Sequence, residues 1–133
     1  DPAFDSVEAL EQTMRVISAP FGPLTDAQWR HLAEYIAVKK ADGKIHFNYD
    51  PDISLPFKLP QNDVPLWPIW NNVTCPVLIT RGVNSDLLLA DTVEKMKQGK
   101  SNVQSVDILN TGHAPMLMDE AQIQLVREFL MRE

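Results

Sequence analysis

The sequence predicts an α/β fold in which a helical layer precedes two parallel strands with flanking helices. Three observations point there. Val77-Leu78-Ile79-Thr80 is a short, unbroken, largely β-branched run of the kind buried on both faces of a sheet, and it stops at Gly82. Val103 to Leu109 forms a second strand-like segment. Apolar residues recur at helical spacing between and after these runs. The order strand, helix, strand, helix implies parallel pairing with right-handed crossovers.

The helical layer comes first. Asp5 with Glu8 has the spacing of a capping box, and Val7, Leu10, Met14 and Ile17 then share one face until Pro20, Gly22 and Pro23 interrupt, so a helix is predicted over 6–18. Thr25 with Gln28 forms a second box, and Trp29, Leu32, Ala33 and Ile36 give a helix over 26–39 that ends among Lys39 to Gly43. Lys44 to Tyr49 alternates as a short strand between Ala41-Asp42-Gly43 and Asp50-Pro51. Pro51, Pro56, Pro60 and Pro65 then exclude a continuous α-helix or a central strand. An extended connector is predicted over 50–66, leading to a helical turn at Leu66 to Asn71. Beyond the first strand, Asp91 with Glu94 opens a helix to about Gln98. After the second, Asp119 with Gln122 opens a last helix, with Ile123, Val126, Phe129 and Leu130 expected inward.

Two strands cannot cover both faces of a parallel sheet. At least three or four more are needed, so the 133 residues are expected to be the C-terminal part of a larger α/β protein. The net charge of −6 and the scattered basic residues argue against a nucleic-acid groove. The longest apolar run, Leu87 to Ala90, is far below the roughly 20 residues of a membrane helix. A lone cysteine, Cys75, and an N-terminus without basic and apolar signal regions point to a reducing, cytoplasmic setting. No His or Cys pair has metal-ligand spacing and no Gly-rich phosphate loop occurs, so neither a metal nor a cofactor is expected.

In open α/β sheets, ligands meet the loops at the carboxyl ends of the strands. Here those loops are Arg81 to Leu87, which presents Asp86, and Asn110 to Leu117, which presents His113 between Gly112 and Ala114-Pro115. Parallel neighbours bring such loops side by side. An imidazole working as a base needs a carboxylate on one nitrogen to fix its tautomer and to stabilise its charged form. Asp86 and His113 are therefore candidate acid and base. A plainer reading stands beside this one: Gly-His as a helix-entrance histidine, and Asn84-Ser85-Asp86 as a polar turn or helix cap. His31, within a helix, and His46, within a strand, read as structural.

The run from Trp70-Asn71-Asn72-Val73-Thr74-Cys75-Pro76 through Val77 to Gly82, then Ser85-Asp86-Leu87-Leu88, then Gly112-His113-Ala114-Pro115 with its closing helix, resembles the C-terminal third of α/β-hydrolase fold enzymes. Upstream, Pro20-Phe21-Gly22-Pro23-Leu24-Thr25, the Trp29 helix, and Asp42-Gly43-Lys44 to Tyr49-Asp50-Pro51 are similar to the cap region of bacterial members. The resemblance implies a cap, or lid, over 1–66 and the end of the hydrolase core over 67–133. It puts the acid on Asp86 and the base on His113. Phe21, Trp67, Trp70, Met116 and Leu117 are candidates for an apolar substrate pocket beneath the lid, or equally for plain core.

One departure from the family is severe. No Gly-x-Ser-x-Gly elbow occurs anywhere in the chain, and the oxyanion-hole segment is missing with it. The expected partners are accordingly a small-molecule substrate and the N-terminal half of the same protein, and the chain alone is expected to be inactive. Serine-dependent hydrolysis of an ester or related acyl compound is the expected reaction of the intact protein. The alternatives are an aspartate-nucleophile dehalogenase or epoxide hydrolase, a non-enzymatic hydrolase-fold binding module, and a small domain that dimerises.

Overall fold

Helix α1, Val7–Ile17, opens on Ser6, whose Oγ accepts from the Ala9 amide at 3.2 Å. Asp5 is therefore not the cap: its carboxylate is engaged by the Lys44 ammonium, and the extended backbone at Ser6 suits a capping residue. The computed structural model describes residues 2–58 and 64–132. They form two compact units, Asp1–Ala19 with Thr25–Pro65, and Pro20–Leu24 with Leu66–Glu133.

In the first unit, helix α2, Asp26–Ile36, keeps the predicted box: Thr25 Oγ1 accepts from Gln28 N at 3.2 Å, and Gln28 Oε1 accepts from Thr25 N at 2.8 Å. The helix stops at Ile36, three residues before the expected end. Ala37–Lys39 instead forms strand β1, antiparallel to β2, Ile45–Phe47, with Val38 opposite His46. The turn between them explains the change. Asp42 Oδ1 accepts from Lys44 N at 2.9 Å and Gly43 adopts φ +80°, so the backbone of 37–39 gains strand partners that outweigh another helical turn. His46 packs inward and meets Asp42 Oδ2 through Nε2 at 2.9 Å, a structural pairing. His31 is exposed and lies against the Tyr35 ring at 4.5 Å between centroids.

Leu10, Met14, Trp29, Ala33 and Phe47 form this unit's buried apolar set. Phe4 adds an edge-to-face contact with Phe47 at 5.5 Å. Between α1 and α2 lies a buried carboxylate. Glu11 Oε1 accepts from Arg15 Nε and Nη2 at 3.0 and 2.7 Å, while Oε2 forms an ion pair with Arg30 Nε at 3.0 Å without hydrogen-bond geometry. Flanking pairs Arg15–Asp26 and Arg30–Glu8 extend the network.

The proline-rich stretch departs from expectation. Pro51–Lys58 is a 3-10 helix rather than extended chain, started by Asp50, whose carbonyl accepts from Ile53 N at 3.0 Å and whose Oδ1 accepts from Asp52 N at 2.9 Å. Proline's fixed φ falls within the 3-10 range, and Pro51 stands at the first position, where a missing N–H costs no helical bond. The expected connector between Leu59 and Asp63 lies outside the described residues.

The second unit begins with α3, Trp67–Asn71, and contains β3, Val77–Gly82, α4, Ala90–Lys97, β4, Val103–Ile108, and α5, Glu120–Leu130. Strands β3 and β4 pair in parallel from Val77↔Val103 to Gly82↔Ile108, as the alternation of elements predicted. Ile79, Val93 and Val103 form the core, with Trp70, Val77, Leu88 and Met96 packed on it. Helix α4 opens on Leu89 without a side-chain cap, so the expected Asp91–Glu94 box does not form; Asp91 is already inside the first turn. Asp119 does cap α5, accepting from Ala121 N and Gln122 N.

On α5 the expected inward face is only partly covered. Val126 and Phe129 are half-buried, but Ile123 and Leu130 are exposed. A two-stranded sheet, with strands about 5 Å apart, is too narrow to cover an apolar helix face of this width.

Two outcomes test the first unit. Leu10 has no exposed surface, and Leu10→Ala should lower stability by about 2–5 kcal/mol, read as a urea midpoint shift at constant m. Acid should also loosen it. The Lys44 hydrogen bond and charge hold Asp5 below its ordinary 3.8; for Asp42 the Lys44 amide and then His46 act in the same direction. Glu8 lies below its ordinary 4.5 through backbone, Ser6 and Arg30 hydrogen bonds. Because folding depresses these values, the stabilisation is present above them and fades as pH falls through the folded values. Urea midpoints should be flat above about pH 5 and drop below about pH 4, with a shallower drop in Asp42→Asn.

Candidate active site

The carboxyl ends of β3 and β4 are locked together by backbone. Gly82 sits so close to the loop after β4 that an added Cβ would lie 1.8 Å from the Gly112 carbonyl oxygen and 2.5 Å from that of Thr111. Gly112 in turn faces Pro20, with a Cβ position 2.8 Å from the Pro20 carbonyl oxygen, and the Gly112 amide donates to that oxygen at 2.6 Å. Gly22, at φ +97°, lets the 20–24 segment turn beneath Thr111. Three further backbone bonds close the junction: Val83 N to Ile108 O, Asn84 N to Thr111 O and Ser85 N to Gly82 O, each 2.9 Å.

Beneath this junction Arg81 and Asp107 stand opposite each other in the parallel register. The guanidinium is buried and donates through Nε and Nη2 to both Asp107 oxygens at 2.9 and 2.7 Å, and through Nη1 to the Val83 carbonyl at 3.3 Å. This fork fixes the last turn of each strand relative to the other. The pair escaped the sequence reading, although a signal was present: each residue is the fifth of its strand, and the two carry opposite charge.

From this base the two loops present their polar side chains. His113 is exposed, and its Nδ1 lies 3.2 Å from Ser85 Oγ. Ser85 is buried, and its Oγ also accepts from the amides of Leu87 at 3.3 Å and Leu88 at 2.9 Å. The polar-turn reading of Asn84-Ser85-Asp86 thus describes what Ser85 does. Asp86, next in the chain, is exposed, and no hydrogen bond joins it to His113. The structure brings His113 to the loop after β3 through Ser85, the residue that the sequence reading treated only as a turn former.

The residues considered for an apolar pocket fall into two groups. Phe21 adjoins Pro20 and Gly22 at the junction, and Met116 and Leu117 follow His113 in its loop, with Leu117 at φ +53°. Trp67 and Trp70 lie elsewhere. Lys95 stands over the Trp67 ring at 4.1 Å, and Trp70 donates through Nε1 to Met96 O at 3.0 Å while packing on the Ile79–Val93–Val103 core. Val77 and Val103 begin their strands, so Trp70 serves the amino end of the sheet, opposite His113. A polar recess of about 220 Å³ lies beside α4, lined by Arg81, Ala90, Val93, Glu94, Ser105 and Asp107. Among the described residues no three His, Cys, Asp or Glu side chains cluster as a metal would require. No helix among them is long and apolar enough to cross a membrane.

No family model matches the chain. It is 37% identical over 125 residues to the 3-hydroxybutyrate-oligomer hydrolase of Cupriavidus necator, an alignment covering 87% of this chain and 43% of that protein. Its fold superposes with TM-score 0.84 on an α/β hydrolase from Novosphingobium aromaticivorans, at 31% identity over 99% of this chain and 48% of the other. A protein of Rickettsia typhi described as a hydrolase gives TM-score 0.86 at 30% identity, covering 99% of this chain and 44% of that one. The chain carries part of an α/β-hydrolase fold. It spans less than half the length of each of these relatives. The strand-end junction of Gly82, Thr111 and Gly112 is therefore the carboxyl edge of an α/β-hydrolase sheet, the edge at which such folds gather ligands.

The junction sets a steric limit. Gly82→Ala forces a methyl into backbone and should destabilise by about 3 kcal/mol, near the upper end of overpacking. At Gly99, open space surrounds the Cβ position and only φ +72° resists, so Gly99→Ala should cost about 1 kcal/mol. Paired urea melts check the difference.

Proposed function

We propose that this chain supplies the acid and base of a hydrolase active site, His113 as base and Asp86 as acid, acting with a nucleophile carried on the rest of the sheet. The observation that carries this reading is the locked junction, which holds His113 against the loop that bears Asp86 at the carboxyl edge of a hydrolase-type sheet. Geometry of this kind suits a group that must meet a nucleophile from a neighbouring strand.

The reaction best supported is ester hydrolysis by a serine. A serine hydroxyl is a weak nucleophile until a base takes its proton. His113 Nε2 would take that proton as Oγ attacks the ester carbonyl, and Nδ1–H would donate to the Asp86 carboxylate, which stabilises the charged ring. Nε2–H would then protonate the departing alkoxide, and water would repeat the sequence to release the acid. The Cupriavidus necator relative is named for hydrolysis of 3-hydroxybutyrate oligomers, so short hydroxyacid oligoesters are the first substrate class to test. Phe21, Met116 and Leu117, on the His113 side of the sheet, are the pocket residues that fit this reading. The helical unit would be the cap region of the intact protein.

In the protein joined to the rest of its sheet, His113→Ala should lower kcat on short oligoesters by about 10⁴-fold or more. Asp86→Asn should lower it by about 10²- to 10⁴-fold with KM little changed. The 133-residue chain alone should show no turnover above its own His113→Ala variant. Full activity in His113→Ala would overturn the assignment, and trapping of an aspartyl ester in place of an acylated serine would move the reaction to the aspartate-nucleophile class.

A further inference from the structure

The hydrogen bonds around Ser85 determine which nitrogen of His113 carries a proton. A serine hydroxyl offers one donor and two acceptor positions. Both acceptor positions of Ser85 Oγ are taken, by the amides of Leu87 and Leu88 at 3.3 and 2.9 Å. Its remaining capacity is its proton, and the remaining neighbour, at 3.2 Å, is His113 Nδ1. Ser85 Oγ–H therefore donates to Nδ1. A nitrogen that accepts has no proton of its own, so the neutral ring carries its hydrogen on Nε2.

That tautomer is the wrong one for a base. To take a proton at Nε2, the ring needs a lone pair there and a hydrogen on Nδ1, pointed at a carboxylate. Asp86, the residue after Ser85, is exposed and unbonded to the ring. We propose that Ser85 and Asp86 compete for His113 Nδ1: Ser85 holds the ring in a resting Nε2–H tautomer, and the base forms when Asp86 replaces it. This rests on the reading of His113 as the base and goes beyond it by assigning Ser85 as the positioning residue that sets the resting state.

Proton balance is simple. His113 is exposed, so water accepts the Nε2 proton and another water supplies one to Nδ1, with no net change in charge. Ser85 Oγ–H gives up its ring contact, and the new Nδ1–H donates to the Asp86 carboxylate. The two amide bonds to Ser85 Oγ persist through the exchange, so the loop keeps its turn while only the ring's partner changes.

The test is ring nitrogen NMR on the histidine-labelled full-length protein, at a pH where the ring is neutral. The 133 residues contribute three histidines, and His113→Ala identifies the signal. The expected result is a bare Nδ1 and a protonated Nε2 in the free protein, a shift toward Nδ1–H in Ser85→Ala, and restoration of the resting tautomer in Ser85→Thr, which keeps the hydroxyl. Removing the competitor should also raise kcat about two- to tenfold with KM little changed, the worth of one net hydrogen bond. A hydroxyl that only shapes the loop would give a lower kcat in Ser85→Ala and an unmoved tautomer, and that result overturns the proposal. So does Nδ1–H in the wild-type free protein, which needs no turnover measurement and leaves the acid–base assignment standing. Undiminished hydrolysis by His113→Ala is the separate result that removes the functional reading and the competition with it.

Discussion

The carboxyl edge of the sheet depends on one close approach of backbone to backbone. Gly82 ends its strand against the carbonyls of Thr111 and Gly112, at a separation that leaves no room for a side chain. Every group of the candidate site hangs from that contact. It brings the loop after β3 within reach of Thr111 O, it turns Gly112 toward Pro20, and it delivers His113 to Ser85. Thr111 is almost wholly buried and bonds back to Leu109 O at 3.1 Å, so the approach is held from inside as well. Interiors packed at crystal-like density transmit displacement rather than absorb it, which is why a single methyl here reaches residues 30 positions away.

Below the glycines, the Arg81–Asp107 fork performs the same task with charge. A parallel pair gains less per residue from its ladder than an antiparallel one, and this pair has only six registered positions. A bidentate ion pair at the fifth position, with the third donor on the Val83 carbonyl, ties the outgoing loop to both strands. Arg81 is buried while the Asp107 side chain remains half-exposed, so desolvation falls on the better-suited partner, the delocalised guanidinium.

The sequence revealed elements wherever one local signal was undiluted. The Thr25–Gln28 box, the β-branched run at Val77 and the Asp119 cap all appear as expected, because each depends on neighbours within a few residues. Pairing beyond the local window overrode two others. Asp5 left its capping place for Lys44, 39 residues away, and Ala37–Lys39 left its helix to pair with Ile45–Phe47. At the site, loop position singled out His113 and Asp86, and the parallel register put their loops side by side. What spacing did not reveal was the order of hydrogen bonds. Ser85 and Asp86 are adjacent, and only the 3.2 Å approach of Ser85 Oγ to His113 Nδ1 shows which of them holds the ring.

That order follows from charge. A neutral imidazole with a lone pair on Nδ1 is well served by a hydroxyl, and a carboxylate near that lone pair gains nothing from leaving water. Once the ring takes a proton, both nitrogens carry hydrogen, and a hydroxyl whose acceptor positions are filled has nothing to offer. The carboxylate then becomes the better partner, since its charge is opposed by the ring's and its desolvation is repaid by a charge-assisted bond. Adjacent residues on a turn held by two amides are well placed for such an exchange. A loop of this composition would engage Asp86 once Nδ1 carries the ring hydrogen, most strongly as charge then develops through proton transfer at Nε2, and would return the ring to Ser85 when Nδ1 gives that hydrogen up.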